Sequence, residues 1–175
     1  SPYSIDWFGL NPASLPAGHH QFSITDSNNC TQIGFADIAE PDPLTTIEIT
    51  SKVLCNGDSN GTVYLDIYGG TPPYNQDWNN VNTSQLTSGI YNYEITDNNH
   101  CTLIDSVLIQ EPDIITVNEV LTHANCFNSN NGKAVLEING GTEPYYEDWF
   151  GNNPLALNAG IHNYTIIDYN SCSYS

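Results

Sequence analysis

The chain is 175 residues long, with 20 Asp and Glu against 2 Lys and Arg, and a formal net charge of −18. Nucleic acid and anionic membrane surfaces are excluded as partners, because both are recognised through clustered Lys and Arg. No apolar run approaches the roughly 20 residues of a membrane-spanning helix, so no membrane insertion is expected here, and the acidity reads as a solvated, self-repelling surface.

The first elements lie in Ser1–Cys30, SPYSIDWFGLNPASLPAGHHQFSITDSNNC, and this stretch is written again at Gly69–Cys101 and Gly140–Cys172. Tyr3, Tyr74 and Tyr145 are 71 residues apart, as are Trp7, Trp78 and Trp149, Gly18, Gly89 and Gly160, Asp26, Asp97 and Asp168, and Cys30, Cys101 and Cys172. Cys55 and Cys126, and Pro41 and Pro112, keep the same period. Repetition at a fixed period therefore organises the chain. The expected division is the C-terminal part of a first repeat at 1–42, a complete second at 43–113, and a third at 114–175 truncated before its last strand. The chain reads as a window on a longer array.

In the complete copy, Thr45–Leu54 alternates and predicts a strand with Ile47, Ile49 and Val53 inward. Cys55 opens CNGDSNG, a turn rich in Asn, Gly and Asp. Thr62–Tyr68 predicts a second strand with Val63, Leu65 and Ile67 inward. Gly69-Gly70-Thr71-Pro72-Pro73 breaks it, since proline is confined to edges and loops. Tyr74–Trp78 is a short strand, followed by a connection anchored by Leu86, with Leu15 and Leu157 as counterparts. Ile90–Thr96 places Tyr91, Tyr93 and Ile95 on one face, Asp97–His100 is a turn, and Cys101–Gln110 closes the copy with Val107 and Ile109 inward. Glu111-Pro112-Asp113 is a short, semi-rigid joint. No segment shows a sustained 3.6-residue apolar period. The prediction is all-β: tandem small Ig-like sandwiches of six or seven short strands, one per 71-residue repeat.

A unit of this size supplies little net stability from its own core and calls for a staple. Cys55 and Cys101 are 46 residues apart, as are Cys126 and Cys172, and Cys30 would then pair with a residue upstream of the window. This intra-repeat pairing is preferred over Cys30–Cys55 and Cys101–Cys126, because each of those segments is two extended strands meeting at a repeat boundary. A loop of that length contributes about 4 kcal/mol in the chain-entropy model and implies an oxidising compartment.

The ordered residues Cys55, Gly57, Gly61, Gly69, Gly70, Thr71, Pro73, Tyr74, Trp78, Gly89, Tyr91, Asp97, Cys101, Glu111 and Pro112 resemble the SprB repeat of gliding and related Bacteroidota. Phe127 and Asn128 depart from it in the third copy, and His20 and His162 stand where the second copy has Tyr91. The resemblance implies the stalk of a very large secreted adhesin that projects and tethers a binding tip. It also implies the type IX secretion and gliding machinery and surface polysaccharide as partners, and a place on the outer face of the outer membrane. The neighbouring repeats of the same chain are partners too. The alternative is a multivalent array of weak glycan- or surface-binding modules, with avidity supplying the grip.

No residues form a predicted catalytic or cofactor site. Trp7, Trp78 and Trp149 could stack on sugars, but a Trp at one fixed place in every copy reads as core, with Tyr74, Tyr93, Phe22 and Tyr164. Asp26, Asp97 and Asp168 follow strands and read as turn caps. Asp58 and Asn60 resemble the start of an oxygen-ligand calcium turn, but their counterparts Ser129 and Asn131 include no carboxylate. His19 and His20 are adjacent on a strand and face opposite ways. No Ser or Cys recurs with a His at constant spacing, so no triad is read and no enzyme is expected.

Overall fold

A computed structural model describes residues 2–175, and all of their regular structure is β. In copy one, β1 (Tyr3–Asp6), β2 (Gly18–Asp26) and β3 (Thr31–Ile38) form one antiparallel sheet in that order. In copy two, β4 (Thr45–Ser51) pairs with β5 (Thr62–Tyr68), and β6 (Asn75–Asp77), β7 (Gly89–Thr96) and β8 (Thr102–Ile109) form a second sheet. Copy three repeats the plan with β9 (Thr116–Thr122) and β10 (Lys133–Asn139) in one sheet. Its other sheet holds β11 (Tyr146–Asp148), β12 (Thr165–Ile167) and β13 (Ser173–Tyr174). The all-β sandwich is formed, with five strands in the complete copy rather than six or seven.

The sandwich closes because each sheet offers one apolar face. From the two-stranded sheet and its flanks come Val53, Val63 and Leu65; from the three-stranded sheet come Tyr93, Ile95, Val107 and Ile109; Leu86 seals the long connection between them. Leu86 is held by paired backbone bonds to Gly61, at 2.9 Å in each direction. In copy three the counterparts of Val63, Leu65, Leu86 and Ile95, namely Ala134, Leu136, Leu157 and Ile166, form the core with Ile115 and Trp149. None of residues 2–43 is buried. Among the described residues no two-stranded sheet lies across the apolar face of the β1–β2–β3 sheet, and Ile38 is 39% exposed where its counterpart Ile109 is 1% exposed.

One predicted face is corrected. Ile47 and Ile49 point outward, at 55% and 52% exposure, while Val53 is buried. The strand does not continue to Val53. It ends at Ser51, and the Val53 N–H crosses to the Gln110 carbonyl at 2.9 Å. The inner positions are Leu44, Thr46 and Glu48; the Tyr93 hydroxyl donates to Glu48 Oε1 and shares a hydrogen bond with Thr46 Oγ1, both at 2.7 Å. Desolvation first, and then the Glu48 carboxylate, push the Tyr93 pKa up to about 12. Tyr164 bonds Glu119 in the same way in copy three and is pushed up to about 12, again chiefly by desolvation.

The corner after β5 needs its two glycines. Gly69 and Gly70 sit at φ 71° and 56°, a region most side chains avoid. A Cβ on Gly69 would lie 2.0 Å from the Pro43 carbonyl oxygen. The Tyr74 hydroxyl donates to the Gly69 carbonyl at 2.6 Å, and Gly70 N–H donates to the Asp42 carbonyl at 2.7 Å. The corner thus ties the sandwich to the joint that precedes it.

Candidate functional site

The feature that distinguishes this chain from a row of independent sandwiches is the joint between copies two and three. The Cys55 turn lies at one end of copy two. There Gly57 N–H donates to Glu111 Oε2 at 2.7 Å, and Asn56 Nδ2 donates to the Pro112 carbonyl at 3.1 Å. The Gly57 N–H and the Ser88 side chain hold the Glu111 carboxyl below its ordinary pKa. The Asp97 hairpin lies at the other end, beside the Gly69–Thr71 corner. Asp97 Oδ2 accepts from Thr71 N–H, and its Oδ1 accepts from Asn99 and Cys101, all at 2.8 Å. Burial alone would push the Asp97 pKa up, but the N–H groups of Cys101, Thr71 and Asn99 outweigh it and hold the carboxyl low.

This polarity overturns the expected disulfides. Cys55 and Cys101 sit at opposite ends of seven-residue β5, separated by about 20 Å of strand. A disulfide needs Cα atoms within about 7 Å. Cys55 instead bonds Cys172, with Cα atoms 5.6 Å apart and a sequence separation of 117. Neither Cys55–Cys101 nor Cys126–Cys172 forms; Cys30, Cys101 and Cys126 are exposed thiols. The separation of 117 is the expected 46 plus one full repeat of 71. The trailing end of copy two meets the leading hairpin of copy three across Glu111-Pro112-Asp113. Asn170 Nδ2 adds a bond to the Leu54 carbonyl at 3.0 Å. The cleft at this joint, about 480 Å³, is lined by Cys55, Asn56, Pro112 and the Ser171–Tyr174 segment.

The other singled-out residues are placed as follows. Trp7 packs at a tilt against Phe22 at 4.8 Å, Trp78 against Tyr93 at 4.9 Å and Trp149 against Tyr164 at 5.1 Å, with interplanar angles of 35°, 39° and 41°. Trp149 is buried, and Trp78 and Tyr74 are partly buried against the copy-two core. The tryptophans do not stand out as free platforms. Tyr64 and Tyr68 are exposed on the outer face of β5, but their counterparts are Val135 and Asn139, so no repeated aromatic face exists. Asp58 and Asn60 are not arranged as metal ligands. The Asn60 oxygen accepts from Leu54 N–H at 2.8 Å, and its amide nitrogen faces Asp58 Oδ2 at 3.3 Å. Among the described residues no group of three or more His, Cys, Asp or Glu is placed to hold a metal. His19 stacks on Phe35 and contacts Asp37, whereas His20 bonds the Pro16 carbonyl.

A larger cleft of about 510 Å³ opens in copy three between Leu121, Leu136, Trp149, Leu157 and Ile161. In copy two the equivalent space is filled by Val107 and Ile109 of β8; the positions one period later, 178 and 180, fall outside the 175 residues. The same residues that line a cleft in copy three line a filled core in copy two.

Residues 47–83 match the SprB repeat family. The SprB match runs from β4 through the Cys55 turn, β5, the Gly-Gly corner, β6 and Trp78, so it includes the copy-two side of the Cys55–Cys172 clasp. The match implies a repeat region of cell-surface adhesin type. Neither a curated protein nor a solved structure matches the chain. Among the described residues no helix is long and apolar enough to cross a membrane.

Sequence reasoning found the Cys, Asp and Glu-Pro positions at the joint but missed Asn170 and the pairing partner. The signal was present. Asn28, Asn99 and Asn170 recur at the period of 71, each two residues after the capping Asp.

Proposed function

We propose that this chain is a stalk segment of a very large secreted cell-surface adhesin of the gliding-motility type, projecting and tethering a binding tip. The observation that carries the reading is the Cys55–Cys172 bond between successive copies. A disulfide inside a module would stabilise that module alone. One between modules makes the joint itself covalent, so tension passes across it without relying on Glu111-Pro112-Asp113. Acidic surfaces on every copy keep such an array soluble and extended. Export by the type IX route, surface polysaccharide as the substratum and a place on the outer face of the outer membrane belong to this proposal.

The test replaces this region in the source cell with an unrelated spacer of equal length. Adhesion retained with the spacer is the expected result, together with labelling of intact cells by an antibody against residues 2–175. Adhesion lost despite the restored length would overturn the stalk in favour of an array of weak binding modules.

A further inference from the structure

We infer that Asn56 is a self-modifying site, at which the Glu111 carboxylate promotes loss of the Asn56 side-chain nitrogen and so ages the joint between copies two and three. This goes beyond the stalk reading and does not rest on it.

The chain contains four Asn-Gly pairs, Asn56-Gly57, Asn60-Gly61, Asn131-Gly132 and Asn139-Gly140. An asparagine before glycine loses its side-chain nitrogen when the glycine backbone nitrogen attacks the side-chain carbonyl carbon, an approach that glycine permits because it has no Cβ. The attacking nitrogen must leave its own hydrogen bond and give up its proton. Three of the pairs are held against this. Gly61 N–H donates to the Leu86 carbonyl at 2.9 Å, and the Asn60 side-chain oxygen is occupied by Leu54 N–H. Gly132 N–H donates to the Leu157 carbonyl at 3.0 Å, and Asn131 Oδ1 is occupied by Asn125 N–H. Both glycines are thereby fixed in bridges across their sandwiches. Asn139 is paired with Thr116 at the end of β10, and a Cβ on Gly140 would lie 2.0 Å from the Ile114 carbonyl oxygen, so that backbone has no room to turn.

Asn56-Gly57 is set differently. Its Gly57 N–H is given to no backbone carbonyl but to Glu111 Oε2, at 2.7 Å, a distance at which a carboxylate can act as general base on that proton. The Glu111 carboxyl is held below its ordinary pKa, so it is ionised at neutral pH. The departing group is placed as well, since Asn56 Nδ2 donates to the carbonyl of the neighbouring Pro112 at 3.1 Å. The space beside Gly57 is open, with nothing within 4 Å of the place a Cβ would take. In copy three these positions are Phe127 and Asn128, so the pair is not repeated there.

The Glu111 carboxylate takes the Gly57 amide proton as that nitrogen attacks Asn56 Cγ. A bond forms between the Gly57 nitrogen and Cγ, the Cγ–Nδ2 bond breaks, and the proton passes from Glu111 to the departing nitrogen, which leaves as ammonia. Water then opens the cyclic imide at either carbonyl, giving aspartate or its isomer linked through the side chain. Either product replaces the Nδ2 donor by a carboxylate beside Glu111, so the Cys55 turn loses its bond to Pro112 and gains a like-charge repulsion.

The experiment incubates the purified 175-residue chain, its Cys55–Cys172 bond intact, in heavy-oxygen water and follows each asparagine by peptide mapping. Asn56 should convert at least about tenfold faster than Asn60, Asn131 or Asn139, and denaturant should abolish that advantage. Between about pH 8 and about pH 6 its rate should hold, because Glu111 and not hydroxide is the base, whereas the denatured chain should slow as hydroxide falls. Glu111→Gln should slow conversion severalfold and restore the dependence on hydroxide; the pH profile of the unaltered chain decides the matter should that variant not fold. Asn56→Asp, which installs one product directly, should let dithiothreitol reduce Cys55–Cys172 severalfold faster. Conversion at Asn56 no faster than at the other three, a folded-state rate that follows hydroxide, an unchanged rate in Glu111→Gln, or an unchanged reduction rate in Asn56→Asp would each overturn the inference.

Discussion

Reduction of the Cys55–Cys172 bond should lengthen the chain under load by a definite amount. The bond spans 117 peptide steps, and a stretched chain gains about 3.5 Å per residue. About 400 Å of contour is therefore hidden while the bond is intact. Held by its termini in a single-molecule pulling experiment, the oxidised chain should release only the residues outside the clasp, about 200 Å in all. After reduction, or in Cys55→Ser, it should release about 600 Å. The two intra-repeat bonds expected from spacing would hide about 320 Å instead, in two separable steps. A hidden length of that size, or none, would refute the inter-copy clasp. At equilibrium the same closure constrains the unfolded chain by about 5 kcal/mol in the chain-entropy model, so reduction should also lower the urea midpoint of copies two and three together.

The folded pKa of Tyr93 is raised, so its contribution is complete below about pH 10 and is lost as pH rises through about 12; urea titrations across that window should show the loss, and Tyr93→Phe should flatten it while costing about 1 kcal/mol at neutral pH. The folded pKa of Asp97 is lowered, so its contribution is complete above the ordinary carboxylate range and fades as pH falls through the folded value. Asp97→Asn should move the acid-unfolding midpoint of copy two toward neutral pH, read by tryptophan fluorescence. Gly69→Ala should cost more than about 2 kcal/mol, because a left-handed φ is combined with a Cβ placed against the Pro43 backbone. Thermal unfolding that is unchanged in that variant would contradict the described corner.

Much of the module was legible because it rests on local rules. Thr62–Tyr68 alternates, and β5 occupies those same residues. Asp97 before an Asn-rich turn predicts a cap, and its carboxylate accepts the predicted local N–H groups. Its bond to Thr71, 26 residues away, was not predicted, since nothing local specifies it. The facing of β4 was misread for a related reason. Alternation marks two faces, and the apolar one was assumed to be inward, but the Tyr93 hydroxyl needs partners and draws Thr46 and Glu48 to the inside.

The period of 71 was legible from equivalent residues set at constant spacing, and most strands, the Gly-Gly corner and the joint residues from the chain within a few positions of each. Which cysteines meet was settled by the fold. A repeat defines a partner's position within a copy but not the copy to which it belongs. That choice is made by the length of β5, which holds Cys55 and Cys101 at opposite ends of one sandwich, and by the joint, which brings Cys55 against Cys172 of the next.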